Sequence, residues 1–117
     1  MKDAEERGGG LQSPSPLTIV SIVKSEKKGK KLCAVLSDGK RVDFGSDVST
    51  TFAEGATEQK RNAYWKRHLG NPVEREKIEN LVMSPALLSA YVLWFTPDLR
   101  KNVETLNGLL AQKVPGK

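Results

Sequence analysis

The rhythm of apolar and polar positions changes near residue 57. Before it, residues 17–24, "LTIVSIVK", and 31–36, "KLCAVL", are rich in the β-branched and aliphatic side chains of strands. Residues 41–44, "RVDF", alternate polar and apolar and predict a third short strand. The polar "SEKKGK" (25–30) separates the first two, and "SDGK" (37–40) the last two. Asp-Gly suits the positive φ angles of a tight hairpin turn. The pattern predicts a three-stranded antiparallel meander over residues 17–44. Three short strands are marginal alone and need helices packed on one face.

After Thr57 the spacing becomes helical. Thr57 caps a helix expected to run to Leu69, with Gly70 as its stop. "NP" at 71–72 opens a second helix over 73–82. Ser84-Pro85 and Thr96-Pro97 each put a capping oxygen before a proline at the first helical position. The helix after Ser84, residues 85–95, is apolar and expected to be buried, with Trp94 closing it beside Leu88, Tyr91, Val92 and Phe95. The last helix is amphipathic, with Leu99, Val103, Leu106 and Leu110 at helical spacing, and fades near Lys113. "GSDVSTTFAEGA" (45–56) reads as a loop. The fold class is α+β: a small antiparallel sheet followed by three or four short helices. A single domain is expected over 17–112, with a short tail at 113–117. Residues 1–16, "MKDAEERGGGLQSPSP", carry too little apolar surface to offset their ordering entropy and are expected to form a flexible arm.

Charge adds a partner class. With 19 basic against 14 acidic residues and a pI near 9.4, the chain suits a polyanion or an acidic protein surface. One cysteine rules out an intrachain disulfide and fits a reducing compartment; Cys33, inside "LCAVL", is expected to be a small buried hydrophobe. The longest apolar stretch, residues 86–95, is half the roughly 20 residues a bilayer span needs, so no transmembrane segment is expected.

The chemistry concentrates in "KRNAYWKRHLG", residues 60–70. At 100° per residue, Arg61, Tyr64, Trp65, His68 and Leu69 share one arc, while Lys60, Ala63, Lys66 and Arg67 lie elsewhere. A nucleic-acid platform needs exposed aromatics flanked by cations. An aromatic arc ending in a leucine fits a core helix better. Arg61 is placed to stack on an aromatic neighbour. Truncation of a buried Trp65 to alanine is expected to cost about 3–5 kcal/mol. His68 is expected to be structural, bonding a loop carbonyl. No Gly-rich phosphate loop or nucleophile–base spacing is present, and one Cys with one His makes no zinc site. No enzyme, cofactor or metal is therefore expected. The candidate binding cations are Lys27, Lys28, Lys30 and Lys31 at the first turn, and Lys60, Lys66 and Arg67 on the helix.

Three blocks also follow one another in a recognisable order. These are Phe44-Gly45, then Arg61, Tyr64, Arg67 and His68, then Val92, Leu93, Trp94, Pro97 and Leu99. The chain resembles a family of small uncharacterised proteins encoded by large double-stranded DNA viruses of algae and amoebae. The resemblance covers roughly residues 40–103. The loop "DVSTTFAEGA" departs from it, lacking the tyrosines and the histidine usual there. The resemblance implies a viral protein made in the host cytoplasm and ending in the virion. The expected role is a minor capsid protein joined to other capsid proteins, with contact to nucleic acid through the basic surface as the alternative.

Overall fold

The computed structural model describes residues 17–113. The arm expected over 1–16 and the end of the tail, 114–117, lie outside them. The sheet is the meander the pattern predicts, in the order β1 (Ile19–Lys24), β2 (Lys30–Leu36), β3 (Arg41–Ser46). Both pairings are antiparallel, with Ile22 opposite Ala34 and Ala34 opposite Val42. A bulge falls between Ile19 and Ser21. Gly39 adopts φ +90° in the Asp-Gly turn. β3 extends two residues past Phe44, through Gly45 and Ser46.

Helices follow as α1 (Glu58–Leu69), α2 (Pro72–Glu79), α3 (Pro85–Leu88) and α4 (Leu99–Gln112). Thr57 caps α1, its hydroxyl accepting the Lys60 N–H. Gly70 ends α1 in a right-handed conformation, so the stop comes from Asn71-Pro72 rather than from glycine's access to positive φ. The Asn71 side chain accepts the N–H groups of Val73 and Glu74 and starts α2 at once.

Two expectations are corrected. The apolar stretch 85–95 is not one α-helix: α3 makes a single turn after its Ser84 cap and widens into a π segment, Ser89–Leu93. The cap of α4 is Asp98, which accepts the Lys101 N–H; it is not Thr96, and Pro97 lies outside the helix. Thr96 is diverted to Asn102, which is fully buried in α4. Asn102 Oδ1 accepts the Thr96 N–H at 3.2 Å and the Thr96 hydroxyl. Its Nδ2 donates to the carbonyls of Val92 and Thr96, both at 2.9 Å. The carbonyl freed at the end of the π segment is thus satisfied within the core.

The main core lies between one sheet face and the later helices, where Ile19, Ala34, Leu36 and Phe44 meet Leu87, Leu88, Val92, Leu93, Leu106 and Leu110. A smaller cluster of Tyr64, Ile78 and Ala90 joins α1 and α2 to the π segment. Asn107 ties the two ends of the domain. The Ile19 N–H donates to its Oδ1 at 2.8 Å, and its Nδ2 donates to the Ile19 carbonyl at 2.9 Å. No helix among the described residues is long and apolar enough to cross a membrane.

Candidate functional site

The aromatic arc of α1 faces inward, and most of its polar groups are engaged by the chain itself. Tyr64 is buried and stacks on Trp94, ring centroids 4.6 Å apart and nearly parallel. Trp65 is only partly buried; it meets Tyr91 edge-on, and its Nε1–H donates to the Trp94 carbonyl at 2.8 Å. The full cost of removing a buried tryptophan is therefore not expected at Trp65. Arg61 lies between the rings of Phe52 and Trp65 and donates from Nε to the Phe95 carbonyl at 3.1 Å. Its charge is held against the framework.

His68 differs from expectation. Its Nδ1 meets Glu74 Oε1 at 2.6 Å, so its partner is a carboxylate on α2 rather than a loop carbonyl. The turn at Gly70–Asn71 brings the two together, because the Asn71 cap fixes where Glu74 enters α2. The imidazole also packs on Tyr64, centroids 4.0 Å apart. With Glu74 on Nδ1, that nitrogen carries the hydrogen in the neutral ring and Nε2 is the acceptor.

These groups border a cleft of about 330 Å³ between the sheet and the helices. Its helical wall carries Tyr64, Arg67 and His68 from α1 and Glu74 from α2. Its sheet wall carries Lys30, Gly45 and Ser46, continued by Ser49 and Thr51. Pro85, Ala86, Ser89, Leu93 and Trp94 close it from α3 and the π segment. Burial raises the Tyr64 hydroxyl to a pKa of about 12, with the Glu74 charge adding to the effect. Arg67 is exposed at the rim, its guanidinium 5.8 Å from the Tyr64 ring centre.

Two backbone irregularities meet beside this cleft. Gly45 sits within β3 at φ +82°, and a Cβ there would stand 2.8 Å from Leu93 Cδ1. Leu93 belongs to the π segment. Wide helical turns are over-represented at functional sites, and glycine is the residue that takes positive φ without strain. Thr51 and Glu54 form a reciprocal cap at the cleft's edge around a short 3₁₀ turn, Phe52–Glu54. Partial burial pushes the Glu54 carboxyl up, but the Thr51 N–H and hydroxyl and the Lys31 ammonium outweigh it and hold it below its ordinary value.

The predicted cations separate into groups. Lys30, from β2, and Arg67, from α1, both line the cleft. Lys31 does not join them; it pairs with Glu54 at 3.0 Å. Lys27 and Lys28 are exposed at the β1–β2 turn, and Lys60 and Lys66 on the outer face of α1. Phe44 is core, and Pro97 is exposed ahead of α4. Cys33 is buried, which pushes its thiol up, with Asp43 acting in the same direction. Among the described residues no group of three His, Cys, Asp or Glu side chains is placed to hold a metal ion. Sequence reasoning missed Glu74, the serines of the cleft, Asn102 and Asn107. Only Asn102 left a signal, an amide at core spacing between Leu99 and Leu106.

A family model described as a family of unknown function, DUF5754, matches residues 20–68, from β1 to the end of α1. The chain is also 35% identical over 80 residues to the uncharacterized protein L851 of Acanthamoeba polyphaga mimivirus, which covers 64% of this chain and 80% of that protein. No solved structure matches it.

Proposed function

Because the chain belongs to the family of this mimivirus protein, we propose that it is a non-enzymatic structural component of a large DNA virus particle, a minor capsid protein that links other capsid proteins. The observation that carries this reading is the use made of α1. Arg61 and Trp65 donate to the carbonyls of Phe95 and Trp94, and Tyr64 stacks inside, so the aromatic-basic motif serves the fold and offers no stacking platform for bases. What faces outward suits protein contact. β1 pairs on one side only, and Val20 and Val23 are exposed on it. Strand edges of this kind accept a further strand. The bulge and the Asn107 clasp at Ile19 confine such pairing to residues 21–24.

A second reading, association with the genome, is favoured by the exposure of Lys27, Lys28, Lys60 and Lys66. Stepwise detergent and salt extraction of purified virions, with mass spectrometry of each fraction, separates the two. Retention in the shell after genome release is the expected result. Release with the DNA as salt rises would transfer the role to the basic surface, since phosphate contacts weaken steeply with salt. Absence from the particle would remove both.

A further inference from the structure

We infer that the cleft between β3, α1, α2 and α3 is a binding site for the phosphate monoester of a small organic molecule. This site is independent of the particle role proposed above. Its walls come from separate stretches of chain yet bring complementary groups together. Lys30 from β2 and Arg67 from α1 supply two cations to its lining. A lysine is a point charge and an arginine a planar fork, and phosphate accepts from both. Ser46 and Ser49 line the same space and add hydroxyls that can donate, while the Ser89 hydroxyl is engaged by Tyr64. His68 lines it too, but with its hydrogen on Nδ1 toward Glu74 it is not one of the donors, which are the cations and the hydroxyls. A tetrahedral dianion takes donors from several directions, as these walls provide. A planar carboxylate does not need such a surround.

Among the described residues Glu74 is the one carboxylate in the cleft, and His68 engages one of its oxygens at 2.6 Å. The remaining surface is apolar: Trp94, Leu93, Ala86 and Pro85 can hold an organic group beside the phosphate. The volume of about 330 Å³ lies at the small end of ligand pockets, which run from roughly 300 to 1,000 Å³. That size fits a small ester and leaves little room for a peptide. The π segment and Gly45 also converge here, and each departs from the regular structure its element would otherwise have.

Trp94 borders the cleft and reports on it. The test is a titration of the full chain, followed by tryptophan emission and calorimetry at constant ionic strength. The probes are inorganic phosphate, a nucleoside 5′-monophosphate, glycerol 3-phosphate, a phosphoserine peptide and its unphosphorylated form. Saturable binding of phosphate and tighter binding of at least one small ester are expected. Arg67→Gln and Lys30→Gln should each weaken it by roughly tenfold, the loss of one charge-assisted contact. Lys28→Gln and Lys60→Gln, outside the cleft, should leave it unchanged. Thermal melts of all four confirm that each variant folds. The inference is overturned if no probe saturates, or if sodium chloride reproduces the response. It is also overturned if Lys28→Gln weakens binding as much as Arg67→Gln, which would mark diffuse attraction. Preference for the phosphoserine peptide over every small ester would overturn the assignment to a small molecule.

Discussion

Replacing Asn102 by alanine should be the most damaging single change in α4. The side chain is fully buried and uses all four of its hydrogen-bonding positions, on Val92 and Thr96 alone. A net contribution of about 0.5–1.5 kcal/mol per bond gives about 2–6 kcal/mol for four. Truncation also leaves the Val92 carbonyl in the core without a partner, a cost of about 1–3 kcal/mol. Relaxation and water entry recover part of this, so about 3–5 kcal/mol is expected for Asn102→Ala. For a domain near this size each kcal/mol moves the melting temperature by about 4–8 °C, so a fall of at least about 12 °C should follow. Urea unfolding followed by circular dichroism measures the free energy directly. Thr96→Val removes the hydroxyl that donates to Asn102 Oδ1 and accepts the Asp98 N–H, and should cost about 1–3 kcal/mol. Asn102→Asp turns a donor into an acceptor facing two carbonyls. Burial favours its neutral form, which can donate once, so this variant should lose stability relative to the parent as pH rises. An Asn102→Ala protein within about 1 kcal/mol of the parent would falsify the view that this amide holds the π segment to α4.

Three further outcomes are expected. Gly45→Ala should destabilise by about 2 kcal/mol or more in chemical unfolding, since positive φ strains an L-residue and the new Cβ meets Leu93 at 2.8 Å; a neutral result would mean that Leu93 moves freely. Tyr64 has its hydroxyl raised from 10 to about 12, so its neutral form contributes stability present below pH 10 and lost as pH rises toward 12, by about 3 kcal/mol at most. Unfolding curves between pH 9 and 11.5 should show that loss in the parent and not in Tyr64→Phe. Glu54 is shifted the other way, so its contribution is present above 4.5 and lost as pH falls through its lower folded value. The stability gap between parent and Glu54→Gln should therefore close in acid, and a gap unchanged from pH 6 to pH 3 would contradict the Thr51–Lys31 arrangement.

Local chemistry made much of the fold legible. β-branched runs and one Asp-Gly turn specify the meander, and Ser84-Pro85 starts a helix as its sequence predicts. The misreadings have physical causes. Thr96-Pro97 carries the same local signal as Ser84-Pro85, but Thr96 donates its N–H and hydroxyl to Asn102 while its oxygen accepts the Asp98 N–H, and Asp98 becomes the cap of α4. An apolar run such as 86–95 satisfies α and π geometry alike, and the groups the π segment meets, Gly45 at Leu93 and Asn102 at the Val92 carbonyl, lie outside the run. The arc of α1 could be sorted by angle alone. The partner of His68 could not, because it depends on the angle at which α2 leaves the Gly70–Asn71 turn. The cleft was the least legible feature, since its walls are drawn from residues 30 to 94 and share no linear spacing.

The Asn107 clasp on Ile19 bears on the order in which the protein can be completed as it is made. A strand at the beginning of the domain is held by a side chain 88 residues later. Leu106 and Leu110, which complete the core beneath the sheet, belong to the same late helix. On the ribosome the hairpins emerge first, but their apolar face stays uncovered until α4 has been synthesised and released from the exit tunnel. The stretch 20–68 then represents a half-built state with its core exposed. A chaperone would meet that state, and an interruption of synthesis before Asn107 would leave a chain prone to aggregate.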